Sequence, residues 1–178
     1  YLGIRLKPLH SVHGFEISLK DINSFPVLPL FDIAPKFIEF YEQLLFLRTY
    51  EERSRFILSS TLFNSGPSNL KQFELIKNAL ACIYLQKGTI TTKVLERELC
   101  YTQRYIRILF NEMIGTCPKK FIQITQLQSV INMMEKDRFS LNGLLDNDFY
   151  YDASHFYKTF KKYMDMTPND YLRILKVN

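Results

Sequence analysis

The segment Tyr150–Tyr171, YYDASHFYKTFKKYMDMTPNDY, has a counterpart in the same chain. Sliding the sequence by about fifty residues lays Thr102–Phe121, TQRYIRILFNEMIGTCPKKF, on Asp152–Tyr171. Ile106 then meets Phe156, Phe110 meets Phe160, Ile114 meets Met164, Pro118 meets Pro168 and Phe121 meets Tyr171. The upstream halves agree as well, Leu95 with Leu145, Leu99 with Phe149 and Tyr101 with Tyr151. Self-similarity at a fixed offset marks a repeated supersecondary unit. A chain that carries one unit twice can touch a repeating ligand twice, and duplex DNA is such a ligand.

Charge placement favours the same ligand. Residues 1–69 hold seven Lys/Arg against seven Asp/Glu, whereas residues 70–178 hold sixteen against eleven, so the half with the repeat carries the whole net charge of +5. A phosphate-binding surface requires this sign, although a solvated basic surface has it too. The three cysteines, Cys82, Cys100 and Cys117, are widely spaced with no CxxC. They argue against a disulfide framework or a zinc site and fit a reducing compartment. No apolar run reaches membrane-spanning length and no signal peptide is visible. The chain opens on YLGIRLKP without Met, in what reads as mid-strand, and an N-terminal portion is expected to precede it.

Leu2, Ile4 and Leu6 alternate with polar residues and predict a short strand. Pro35 fits a helix start, and Phe37, Phe40, Tyr41, Leu44, Leu45 and Leu47 form a wide apolar stripe after it. That stripe reads as core, or as a dimer surface. A second helix is expected over Glu51–Phe63, and NSGPSN at 64–69 is a break taken as the domain boundary. Beyond it the sequence predicts helices at Leu70–Gln86, Thr92–Leu99, Thr102–Ile114, Pro118–Glu135, Ser140–Asn147, Ala153–Met164 and Pro168–Lys176. Thr91, Thr102, Ser140, Asp152 and Thr167 are N-cap candidates, and Gly88 and Gly115 are C-terminal caps. The expected fold is an all-α, seven-helix domain at 70–178. It holds helix-turn-helix units at about 91–114 and 140–164, joined by a long helix and preceded by a short strand and helical linker.

In Thr102–Ile114, the residues Ile106, Leu109, Phe110 and Met113 fall on one stripe, and Arg104, Arg107 and Asn111 on the other face. In Ala153–Met164, Phe156, Phe160 and Met164 form the stripe, and Ser154, Lys158 and Lys161 lie outside with Tyr157 and Lys162 beside them. One such helix alone reads more readily as an ordinary amphipathic helix; two matching ones, each after a short helix and a tight turn, reverse the reading toward groove recognition. Arg forks suit guanine edges, Gln suits adenine, and Lys suits phosphates. The joining helix, at about 1.5 Å per residue, runs roughly 27 Å, against about 34 Å between successive major grooves.

YYDASHFYKTFKKYMDMTPNDYLR resembles the C-terminal signature of the AraC/XylS transcription regulators, and TQRYIRILFNEMIGTCPKKF resembles that family's first unit. The resemblance covers about residues 75–175. It implies base-facing positions at Gln103, Arg104, Arg107 and Ile108 in the first unit and at Ala153, Ser154, Tyr157 and Lys158 in the second. It implies phosphate contacts at Thr116, Lys119, Lys161 and Lys162. GIRLKP, within residues 1–69, is similar to the end of the family's cupin-like sensory domain and linker. The resemblance thus implies a cytoplasmic, bacterial-type regulator that binds double-stranded DNA, addresses RNA polymerase and forms a homodimer through its N-terminal region. No cofactor or metal is expected, and the identity of a small-molecule effector stays open. The chain departs from the pattern at Glu96 and Leu145, where a small Ala is usual. It departs also at Phe149 and Asp165 in place of Gly, and at Ile108 in place of Arg. With Asp146 and Asp148 beside it, the second unit is expected to pack more and read less. A degenerate module that binds protein rather than DNA is the alternative.

His10, His13 and His155 lie apart from any carboxylate or Cys at metal-ligand spacing, and no nucleophile elbow, P-loop or HExxH occurs. The sequence gives no basis for an enzyme.

Overall fold

The computed structural model describes residues 37–60, 69–136 and 149–177, with side chains to Leu175. The described residues form α1 (Phe37–Phe46), α2 (Tyr50–Ser59), α3 (Leu70–Leu85), α4 (Thr92–Leu99), α5 (Gln103–Met113), α6 (Pro118–Glu135), α7 (Ala153–Met164) and α8 (Pro168–Val177). They contain no strand. The strand expected at Leu2–Leu6 and the helix expected at Ser140–Asn147 lie outside the described residues, as do Leu145, Asp146 and Asp148. Two compact units are present, one of Tyr1–Lys77 with Arg104–Cys117, the other of Asn78–Gln103 with Pro118–Asn178.

In the first of these units, α1 buries Phe37 and Phe40, with Leu44, Phe56 and Ile57 packed against them. Phe40 stacks on Phe56 at 5.0 Å. The stripe is narrower than the sequence predicts, for Tyr41 and Leu45 are exposed. The first helix ends at Phe46 because Thr49 starts the next one. Its hydroxyl accepts from the Glu52 N–H while the Glu52 carboxylate accepts from the backbone of Arg48 and Thr49. This reciprocal capping box fixes the start of α2. Those two N–H donors, Thr49 first, hold the Glu52 carboxyl below its ordinary value. The far end of α2 corrects the expectation of a helix to Phe63. Ser60 is extended (φ −68°, ψ 132°), and the helix stops at Ser59.

The second unit holds a core built from α6, α7 and the residues just before α7. Leu127, Val130 and Met134 of α6 are buried with Phe149, Tyr150, Phe156 and Phe160. The rings form a chain of contacts, Tyr150 to Phe156 at 5.1 Å, Phe156 to Phe160 at 5.7 Å and Phe160 to Tyr171 of α8 at 5.8 Å. Tilted and edge-on contacts of this kind add to the area buried. Tyr171 also donates to Glu135 at 3.1 Å, and Tyr163 to Gln123 at 3.5 Å, so α6 is tied to both later helices. Gly88, after α3, is the glycine the packing demands. Its φ is +78°, and a Cβ there would stand 2.3 Å from the backbone nitrogen of Gln126.

Tyr150 is the least satisfied group in this core. Its side chain is 3% exposed, and its hydroxyl has no hydrogen-bond partner among the described residues. Burial, with a smaller contribution from Tyr163, pushes its pKa up to about 12. An unpartnered buried hydroxyl costs about 1–3 kcal/mol. Tyr150→Phe is therefore expected to raise stability by about 1 kcal/mol at neutral pH. The pH dependence has a definite sign. A phenol of higher pKa in the folded than in the unfolded chain leaves stability intact below about pH 10. It drains stability as pH rises from about 10 to about 12, because the unfolded state ionises first. Denaturant titrations of both proteins across that window test this, and the gap between them should widen with pH.

Candidate nucleic-acid interface

The α4 helix begins at Thr91, whose hydroxyl accepts from the Val94 N–H at 3.3 Å. It ends at Cys100, which adopts a left-handed φ of +56°. After Tyr101 and Thr102, α5 begins. Ile106, Leu109, Phe110 and Met113 are all buried, as the heptad-like spacing predicts. Gln103, Arg104, Arg107 and Ile108 are exposed. Asn111, expected on the open face, is half-buried. Neither Arg104 nor Arg107 forms an ion pair with a described carboxylate. The helix closes at Gly115, with φ +76°.

The sequence repeat is matched by local geometry in α7. Asp152 caps it, with Oδ1 accepting from the His155 N–H at 2.7 Å. The Asp152 carboxylate thus lies at a helix N-terminus, where backbone N–H groups favour negative charge. Phe156, Thr159 and Phe160 are buried, and Ser154, Lys158, Lys161 and Lys162 are exposed. Ala153 and Tyr157 are half-buried, and the Tyr157 hydroxyl donates to Asn169 Oδ1 at 3.4 Å. Lys162 lies over the ring of Tyr163, 5.4 Å from its centre. At the end of α7, Asp165 takes φ +55°, the position that Gly115 holds in the other copy. Asp is one of the few non-glycine residues that visit this region, and its N–H closes the helix on Lys161 O at 3.0 Å. Thr167 caps α8. It accepts from the Asp170 N–H at 3.2 Å and donates to the Asp170 carboxylate at 2.6 Å, which holds that carboxyl below its ordinary value.

Of the residues expected on phosphates, Lys119, Lys161 and Lys162 are exposed and Thr116 is half-buried. One pairing lay outside what the helical periodicity predicts. The exposed Gln103 side chain is bonded to Glu96 and Thr92 of α4. Only the unusual size and charge of Glu96 at that position pointed to it. No group of three or more His, Cys, Asp or Glu among the described residues is placed to hold a metal ion. No described helix is long and apolar enough to cross a membrane.

Residues 135–173 match the family model of bacterial regulatory helix-turn-helix proteins, AraC family. The matched segment contains α7, the Asp165–Thr167 turn and the start of α8, and it is 39 of the 178 residues, counted from 135 to 173. No curated protein and no solved structure shows significant similarity to the chain. The likeness to AraC-family helix-turn-helix proteins is thus a likeness of this segment.

Proposed function

We propose that the protein is a sequence-specific transcription regulator that reads DNA with two recognition helices, α5 and α7. The observation that carries this reading is the doubled pattern of face and flank. Each helix buries a largely apolar stripe and exposes a face of Arg, Lys, Gln or Ser, and each closes on a left-handed residue at matching positions of the repeat. In this reading Gln103, Arg104, Arg107 and Ile108 face bases in one half-site, and Ala153, Ser154, Tyr157 and Lys158 face the other. Thr116, Lys119, Lys161 and Lys162 hold phosphates, which position the protein without reading sequence. The residues 70–178 form the DNA-binding region and 1–69 the end of a sensory region and linker. Dimerisation through the N-terminal region and contact with RNA polymerase complete the proposal.

The two halves are not equal in this reading. Two guanidinium groups without an ion-pair partner among the described residues stand on α5, whereas on α7 the half-buried Tyr157 directs its hydroxyl to Asn169. The first unit therefore supplies most of the base discrimination, and the second mostly phosphate contact. Selection of binding sites from random duplexes tests both points. Arg107→Ala is expected to relax preference at one or two positions, worth about 1–3 kcal/mol if the contact is bidentate. Lys162→Ala is expected to weaken all sequences alike. An unchanged selected site in Arg107→Ala would remove that residue from base reading. Equal penalties in the half-site under α7 would show that the second helix reads as fully as the first.

A further inference from the structure

We propose that Glu96 is a positioning residue that presets Gln103 for the edge of an adenine. Gln103 is the first residue of α5 and is exposed. Both ends of its side-chain amide are nevertheless held by α4. Gln103 Nε2 donates to Glu96 Oε2 at 2.7 Å, and Thr92 Oγ1 donates to Gln103 Oε1 at 3.2 Å. A carboxylate only accepts, so the nitrogen must be the end that faces Glu96. The flipped amide would set two acceptors against each other. The acceptor is ionised, which makes this the stronger of the two bonds. Arg97, next in the chain, pairs with Glu98, so the Glu96 carboxylate is turned to the glutamine rather than to its neighbour's guanidinium.

This network leaves one N–H on Nε2 and one lone pair on Oε1 for a further partner, on a side chain fixed at two points. Adenine presents the complement in the major groove, with N7 accepting and the N6 amino group donating. Guanine presents two acceptors there, which a locked amide with a single free N–H cannot satisfy. A glutamine held in advance also spends less conformational entropy when it meets the base than a free one does. Specificity at one position of the site then depends on a residue that need not touch DNA. This inference rests on the reading that α5 meets base edges.

The experiment has two arms, both on the full chain. Without DNA, the side-chain NH₂ signals of Gln103 in ¹H–¹⁵N spectra should move toward those of a free glutamine amide in Glu96→Ala. They should hold in Glu96→Gln, whose carbonyl can still accept. In binding-site selection, the wild type should require adenine at one position, and Gln103→Ala should abolish that requirement. Glu96→Ala should weaken it about tenfold while leaving neighbouring positions intact, and Glu96→Gln should restore it. Unmoved amide signals in Glu96→Ala overturn the network itself. Moved signals with unchanged adenine preference overturn the positioning role, as does a uniform gain in affinity for every sequence, which would mark the carboxylate as mere repulsion of phosphates. A wild type that selects no sequence overturns the base-reading role of α5, and with it the proposal, while the spectra still report whether Gln103 is held.

Discussion

Phe160→Ala is expected to cost roughly 3–5 kcal/mol of stability, and Phe110→Ala a similar amount. Both rings are 0% exposed, and they occupy equivalent positions in the repeat. Removing a phenyl group forfeits its transfer from water and leaves a cavity that a close-packed core fills only in part. Phe160 is the more exacting case. It stands between Phe156 of its own helix and Tyr171 of α8, in a core that also takes in Leu127, Val130 and Met134 of α6. Its loss would loosen the base on which the exposed Lys158, Lys161 and Lys162 are carried. Since small domains are stable by about 5–15 kcal/mol, the change approaches the whole margin. Thermal melts and urea titrations measure it. A melting temperature within a degree or two of the parent would mean that the ring is exposed and the face of α7 is rotated from the one described.

The sequence made these faces legible because several signals agreed in the same places. Thr91, Pro118 and Asp152 are strong helix starts, and α4, α6 and α7 begin where they say. The four-residue stripe of α5 is buried in full, since a 3.6-residue period leaves little room for another face. Agreement failed where one signal stood alone. Leu58 continues an apolar run by composition, yet it is 83% exposed and its helix ends one residue later. Asp165 in place of glycine gave no hint that the chain would keep the left-handed turn, because that is a backbone choice which aspartate tolerates at some cost. The Glu96–Gln103–Thr92 network was beyond the periodic signals altogether. It joins positions seven and eleven apart across a turn, and only the side chains' reach closes it.

The largest effect on function should come from salt. Arg104, Arg107, Lys119, Lys158, Lys161 and Lys162 are six exposed cations, set on α5, α7 and the first turn of α6. Each one that replaces a counterion on duplex DNA adds about −0.9 to the slope of log K against log salt. If four to six engage phosphates, affinity should fall roughly 10²–10³-fold between about 50 and 200 mM monovalent salt. If Lys161 engages a phosphate as proposed, Lys161→Ala should flatten the slope by about one unit without altering which site is preferred. Arg107→Ala should alter preference more than slope, because a guanidinium on a base edge displaces fewer counterions than one on the backbone. Titration of a labelled duplex at four or five salt concentrations separates these cases. The alternative of a degenerate module that works through a protein partner makes the opposite forecast. Such a protein would bind duplex weakly, and the selected and scrambled duplexes would be bound alike at every salt concentration. An affinity that stays flat from low to moderate salt would leave the basic faces of α5 and α7 without the partner assigned to them.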